Sequence, residues 1–395
     1  MIKKMLYIAH TDMRSGKASS IQIMNSCYGF VRAGVEVILT DYFFLPGDQR
    51  IRGDYWEYFG LNAVFTRKTL PTFLWIGAAK IPGLIYLLKI PALVLYYLSL
   101  SLNGQIKHIN ILYTRCYTAI MFAAIFRQVF PSWKKILLVF EAHERSYGQR
   151  IKVLKMADII VSISNKLADE LKNNVNKNNN IIVEHDCVDL NKFNLSIELN
   201  ESPYKTYVDD RNKNKILCYA GGLYKGEIDF LIECSTMIPK GTHIIVLGGS
   251  DSQVKYYRSI SNGLPINFLG NIPHKLIPKY LCNADILVMP YTGRLRWSEY
   301  FSPMKLFEYM AAKRPIIASD LPVLHEILDN SRNSILFDPG NSKQFVECIN
   351  VIINNKINIV RLTENAFQDV QYFTWEKRSN RIISFCNNFI GSIHK

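Results

Sequence analysis

The densest run of residues able to do chemistry is Tyr300-Phe-Ser-Pro-Met-Lys-Leu-Phe-Glu-Tyr-Met-Ala-Ala-Lys-Arg-Pro315. Ser302 followed by Pro303 reads as a helix start, a hydroxyl N-cap with proline at the first helical position. Lys305 then falls at the third helical position, where the dipole favours an anion by roughly 0.3–1 kcal/mol. A lysine there makes sense if an anion such as a diphosphate sits on the chain from Ser302 through Pro303 to Met304. Glu308 follows on the same helix face (i, i+3). An acceptor-only carboxylate beside a phosphate site is placed to take both hydroxyls of a ribose. The competing reading of Lys305 and Glu308 is a surface ion pair of little energetic consequence.

Elements that would position such a site are legible as short apolar runs alternating with helical patterns. In the first half the runs are 4–9, 35–40, 110–113, 136–140 and 159–163; in the second they are 215–220, 243–247, 266–269, 286–289, 315–318 and 334–337. Helical patterns at 19–32, 117–129, 166–172, 228–237, 303–312 and 342–353 fit between them. Alternation of this kind predicts α/β architecture with parallel, doubly wound sheets. A chain of 395 residues is long enough for two such domains. The expected division is 1–195, a polar linker at 196–212, 213–372, and a terminal segment at 373–395. Two doubly wound domains bind ligands at the carboxyl ends of their strands. No G-x-G-x-x-G follows the first strand, which argues against a classical NAD or FAD enzyme.

The eight cysteines are scattered without a C-x-x-C, so neither a zinc ribbon nor a disulfide framework is expected. No D-x-D and no ligand-spaced His/Asp/Cys cluster occurs, and no metal or other cofactor is expected. Lysines and prolines interrupt the apolar stretch 70–102, so no spanning helix is expected, and residues 5–9 are too short for a signal-peptide core.

The run through Ser302 and Glu308 closely resembles the family 4 glycosyltransferases, whose Glu-x7-Glu signature often takes the form S-P-x-K-L-F-E-Y-M-A. The resemblance extends along the chain. Tyr219-Ala-Gly-Gly-Leu-Tyr-Lys-Gly226 looks like the family's glycine-rich turn, which implies that Gly222 and Lys225 contact the donor diphosphate. Phe268-Leu-Gly-Asn-Ile-Pro-His274 looks like its base-binding turn, implying Gly270, Asn271 and Ile272 as nucleoside contacts beside Glu308. Ala284-Asp-Ile-Leu-Val-Met-Pro290 is similar to the strand entering the signature. Glu141-Ala-His143 sits where the family places a histidine facing the donor sugar, and the resemblance implies that the Gly16 loop faces the sugar with it and that Gly16 joins the donor diphosphate contacts. Val161-Ser-Ile-Ser164, the run Glu184–Phe193 and Phe373-Thr-Trp-Glu376 match later family segments. The first signature Glu falls on Tyr300, with Glu299 one residue out of register, and Cys187 stands where a glycine is usual.

The resemblance implies a GT-B fold, two Rossmann-like domains facing a central cleft with the last helix crossing back to the first domain. It further implies a retaining, metal-independent glycosyltransferase using a nucleotide-diphosphate sugar, with His143, Lys225 and Glu308 as the residues carrying catalysis. Two other readings are an epimerase of the same fold and a non-catalytic sugar-binding subunit.

The net charge is +14, yet from Tyr58 to Phe140 there are nine Lys or Arg and no acid, where the chain's average would place about seven. Cations interleaved with aromatics suit an anionic membrane surface; lysines snorkelling from an acid-poor core are the alternative. A nucleic-acid partner is not expected, since no binding motif accompanies the charge. The expected acceptor is therefore lipid-linked or a cell-envelope saccharide such as lipopolysaccharide, and the expected place is the cytoplasmic face of the cell membrane.

Overall fold

The computed structural model describes residues 1–9, 13–42, 51, 54–61, 64–71, 84–175, 180–194, 202–208, 213–293 and 299–393. The chain divides into two units, Met1–His185 with Trp375–Lys395, and Asp186–Thr374. The first boundary falls ten residues before the expected one. Part of the polar stretch expected to be a linker is packed instead: Tyr204 is fully buried and its hydroxyl donates to the Tyr280 carbonyl at 2.6 Å.

The first unit is a seven-stranded parallel sheet of β1 (Lys4–Ile8), β2 (Glu36–Tyr42), β3 (Thr66–Leu70), β4 (Ile111–Thr114), β5 (Leu137–Ala142), β6 (Ile159–Ser162) and β7 (Ile181–Val183), in the order 3-2-1-4-5-6-7. The second has six parallel strands, β8 (Lys215–Ala220), β9 (Thr242–Leu247), β10 (Ile266–Gly270), β11 (Ile286–Met289), β12 (Ile316–Ser319) and β13 (Ile335–Phe337), in the order 10-9-8-11-12-13. Helices named below are α1 (Ala18–Arg32), α2 (Leu84–Leu102), α3 (Tyr117–Val129), α4 (Lys225–Ser235), α5 (Met304–Ala311) and α6 (Trp375–Ile393).

Burial on both faces explains why the strands read as unbroken apolar runs. In β8, Ile216, Cys218 and Ala220 join one core while Leu217 and Tyr219 join the core on the opposite face. The strand order reverses between β1 and β4 and again between β8 and β11, and ligands bind at such switch points. The last helix, α6, belongs to the first unit: it packs along α1, and its Ile382 and Cys386 enter that unit's core.

The acid-free window is not a uniformly cationic face. Arg67 pairs with buried Asp41 at 2.5 Å, and Arg127 with Asp158 at 2.6 Å, both acids coming from outside the window. Lys68 lies over the Tyr96 ring, Lys89 is half-buried over the Tyr42 ring, and Lys80 falls outside the described residues. Lys107, Lys134 and Lys135 are exposed and follow by five or six residues Leu102 and Val129, which are 84% and 64% exposed. These five residues lie towards the amino ends of β4 and β5. No described helix is long and apolar enough to cross a membrane.

Candidate functional site

In the second unit the turns after β8, β9 and β10 are tied together by their backbones. Gly221 N–H donates to the Leu247 carbonyl at 2.9 Å, and Gly248 N–H to the Gly270 carbonyl at 2.7 Å. A Cβ on Gly248 would lie 2.0 Å from the Gly221 oxygen, so only glycine lets the first two turns meet. Gly222 is exposed, and exposed Lys225 opens α4, where the first amides lack intrahelical partners. Gly270 ends β10 with φ +84°, followed by exposed Asn271 and half-buried Ile272. The sequence-expected diphosphate and nucleoside turns are thus brought to the same end of one sheet.

Across the switch point stands α5, fixed to β8 by its Tyr309 hydroxyl, which accepts from Ala220 N–H at 2.8 Å. The helix begins at Met304, with Pro303 at the N-cap and no side-chain cap. Ser302 is therefore not the cap expected from sequence, because its Oγ accepts from Asp186 N–H at 2.8 Å instead. Pro303 has no N–H to offer an anion, which leaves Met304 and Lys305 as the amides of this terminus.

Lys305 does not pair with Glu308. Its Nζ is buried without a hydrogen-bond partner, 4.1 Å from the centroid of the Tyr219 ring and 4.9 Å from that of Tyr291. A Cβ on Gly221 would fall 2.8 Å from this ammonium, so the glycine turn lies directly over the charge. Burial pushes Lys305 down to about 8, with Glu227 and Glu308 pulling the other way. Glu308 is paired instead with His274, Nε2 to Oε1 at 2.8 Å, and His274 Nδ1 is buried without a partner. His274 is a candidate site residue that the sequence did not single out; its place in the turn after β10 is the signal.

Glu227 was missed as well. It is 1% exposed in the first turn of α4, one oxygen has no partner, and the Tyr219 hydroxyl spends its proton on the Gly222 carbonyl at 2.7 Å. Burial raises Glu227 to about 7, with the charge of Lys305 opposing. An unfolded glutamate titrates near 4.5, so the folded form holds the extra proton between those values and loses stability as pH rises through them. Glu227→Gln should therefore stabilise the protein by about 1–3 kcal/mol at pH 8 and have little effect at pH 4.5. Urea denaturation at both values checks this; a loss of stability at pH 8 would contradict it.

In the first unit His143 follows β5. Its Nε2 lies 2.5 Å from Glu141 Oε1, and the side chain is 19% exposed. Gly16, with φ +59°, is buried in the turn after β1, while His10–Asp12 lie outside the described residues. Glu299 is exposed and Tyr300 is 4% exposed. Among the described residues no group of three or more His, Cys, Asp or Glu could hold a metal ion. A cavity of about 640 Å³ lined by Lys215, Asp285 and Arg314 opens at the amino ends of β8, β11 and β12, away from these turns.

Residues 214–355 match the family model described as glycosyl transferases group 1. An uncharacterized glycosyltransferase of Methanocaldococcus jannaschii is 26% identical over 194 residues, covering 44% of this chain; the chain spans 54% of that relative's length. Sucrose-phosphate synthase from Thermosynechococcus elongatus superposes with a TM-score of 0.72 at 17% identity, over 99% of this chain and all of the other. Anabaena HepE, solved in complex with UDP, gives 0.68 at 15% identity, covering 98% and 99%. The lipopolysaccharide outer core galactosyltransferase WaaB gives 0.63 at 15%, again covering 98% and 99%. The fold is GT-B.

Proposed function

We propose that the protein is a glycosyltransferase that moves a sugar from a nucleoside-diphosphate sugar to an acceptor hydroxyl with retention of configuration. The observation that carries this reading is the buried ammonium of Lys305, without a hydrogen-bond partner between two tyrosine rings, below a glycine turn and beside a helix N-terminus. Such a charge is costly unless an anion completes it. The diphosphate is held by Lys305, Lys225 and the first amides of α4 and α5. Glu308, steered by His274, takes the ribose hydroxyls; Gly270–Ile272 contact the base; His143 and the Gly16 turn serve the sugar.

The sugar–phosphate C–O bond breaks, a bond from the sugar carbon to the acceptor oxygen forms, and the acceptor's proton passes to the departing phosphate on the same face. The two lysines and the helix termini stabilise the charge that develops on that phosphate. Solved structures of HepE hold UDP and UDP-glucose, which supports a nucleotide sugar as donor. No bound metal is required in this reading, since cations of the chain occupy the role. UDP or GDP at about 100 times its Kd should raise stability by about 2.7 kcal/mol, equally with and without excess chelator. No stabilisation by either nucleotide, or stabilisation abolished by chelator, would overturn the site as described.

The acceptor is lipid-linked or a cell-envelope saccharide, reached at the cytoplasmic face of the membrane. Exposed Lys107, Lys134 and Lys135, with exposed Leu102 and Val129 a few residues before them in the sequence, support this. Three cations at about 1 kcal/mol each give roughly 150-fold in binding to anionic lipid. The protein should sediment with anionic vesicles, less so at high salt, and Lys→Glu at all three positions should abolish the preference. Equal sedimentation with neutral vesicles would remove the membrane from the reading.

A further inference from the structure

We propose that Glu141 is the positioning residue of His143: it fixes the Nε2–H tautomer and leaves the Nδ1 lone pair as the ring's free polar group, so that the donor substituent received there is a hydroxyl and not a carboxylate. The inference rests on the sugar-facing role of His143 proposed above.

Glu141 and His143 are two residues apart at the end of β5, a spacing that puts both side chains on one side of an extended chain. Glu141 is fully buried, and every hydrogen bond of its two oxygens is one it accepts. Gln22 Nε2 donates to Oε1 at 2.7 Å, Arg378 Nη2 to Oε2 at 3.1 Å, and the Tyr113 hydroxyl to Oε2. The orientation of the Gln22 amide is set independently, because its own Oε1 accepts from Arg115 Nη1 at 2.9 Å. Burial alone would raise Glu141; Arg378 first, then His143 and Arg115, outweigh it and hold the carboxyl well below the usual range. An ionised carboxylate only accepts, so His143 must donate to it from Nε2.

The ring stays neutral. Burial pushes His143 down to about 4, Arg115 and Arg378 add to that, and Glu141 opposes. Nδ1 makes no hydrogen bond to the described protein. A neutral ring with Nε2–H spent on Glu141 offers only a lone pair there. A sugar hydroxyl satisfies it, whereas a uronate carboxylate meets lone pair with charge and is rejected.

The test is 15N NMR of the full chain labelled at histidine, the His143 resonance being identified by its loss in His143→Gln. Wild type should show the Nε2–H tautomer unchanged from about pH 8 to about pH 5.5. In Glu141→Gln the new amide can donate to Nε2, and the population should move towards Nδ1–H. A wild-type Nδ1–H tautomer, a midpoint near 6.5, or an unchanged Nε2–H tautomer in folded Glu141→Gln would overturn the proposal. If that variant does not fold, the wild-type titration decides. Binding of UDP-glucuronate at least about tenfold weaker than UDP-glucose is expected for the wild type. Equal binding with the Nε2–H tautomer established would overturn the sugar-facing role while leaving the positioning by Glu141 intact.

Discussion

Replacing Arg378 with methionine should destabilise the protein by about 3–5 kcal/mol, because it strands a buried carboxylate without its counter-charge. Arg378 is wholly buried, and it binds the Glu141 carboxylate at 3.1 Å and the His185 carbonyl at 2.9 Å. Methionine fills much of the volume, so lost packing is the smaller part. Without the guanidinium, Glu141 must take up a proton to stay folded, and the loss should shrink as pH falls towards 4.5, where the unfolded glutamate is protonated too. Adding Glu141→Gln to Arg378→Met should restore part of the stability, since neutral partners are tolerated where a lone charge is not. Urea denaturation of the single and double variants at pH 7 and pH 4.5 measures both terms. A double variant no more stable than Arg378→Met at pH 7 would show that the two side chains do not act as a pair.

The second large effect belongs to ligand binding. Glu308→Gln should weaken the affinity for the best-binding nucleoside diphosphate by about 1.5–3 kcal/mol, the range for hydrogen bonds to charged groups, or roughly 10- to 150-fold. Glutamine keeps the size and helix preference of Glu308, but its amide nitrogen cannot accept, and one end must still answer His274, now at 2.8 Å from Oε1. Titration calorimetry with the folded variant reads the change directly. Wild-type affinity would place the ribose elsewhere.

These expectations were unequally legible in the sequence. The buried strands stood out because apolar side chains fill both faces. β3 and β7 did not: one is Thr-Arg-Lys-Thr-Leu on the sheet edge, the other only three residues long. Lysine at the wrong end of a helix dipole pointed to Lys305, and its ring-lined burial is the structural counterpart. The hydroxyl of Ser302 was misread as a cap because its real donor, the amide of Asp186, is 116 residues away. Glu141 entered the sequence reading only as a neighbour of His143, and their contact emerged with the structure. No periodicity connects Glu141 to Arg378, 237 positions along the chain, so the polar centre of the first unit was invisible until the fold brought them together.

That separation also bears on synthesis. The first unit lacks α6 until about 190 residues of the second unit have been made, which takes about 10–40 s at typical rates of elongation. Through that interval the groove along α1 and the core positions later filled by Ile382 and Cys386 stay open to water, and Glu141 lacks its ion-pair partner Arg378. The contiguous second unit faces no such delay. The ribosome therefore imposes an inverted order, in which the unit begun first is finished last and its vacant groove needs shielding from other nascent chains in the meantime.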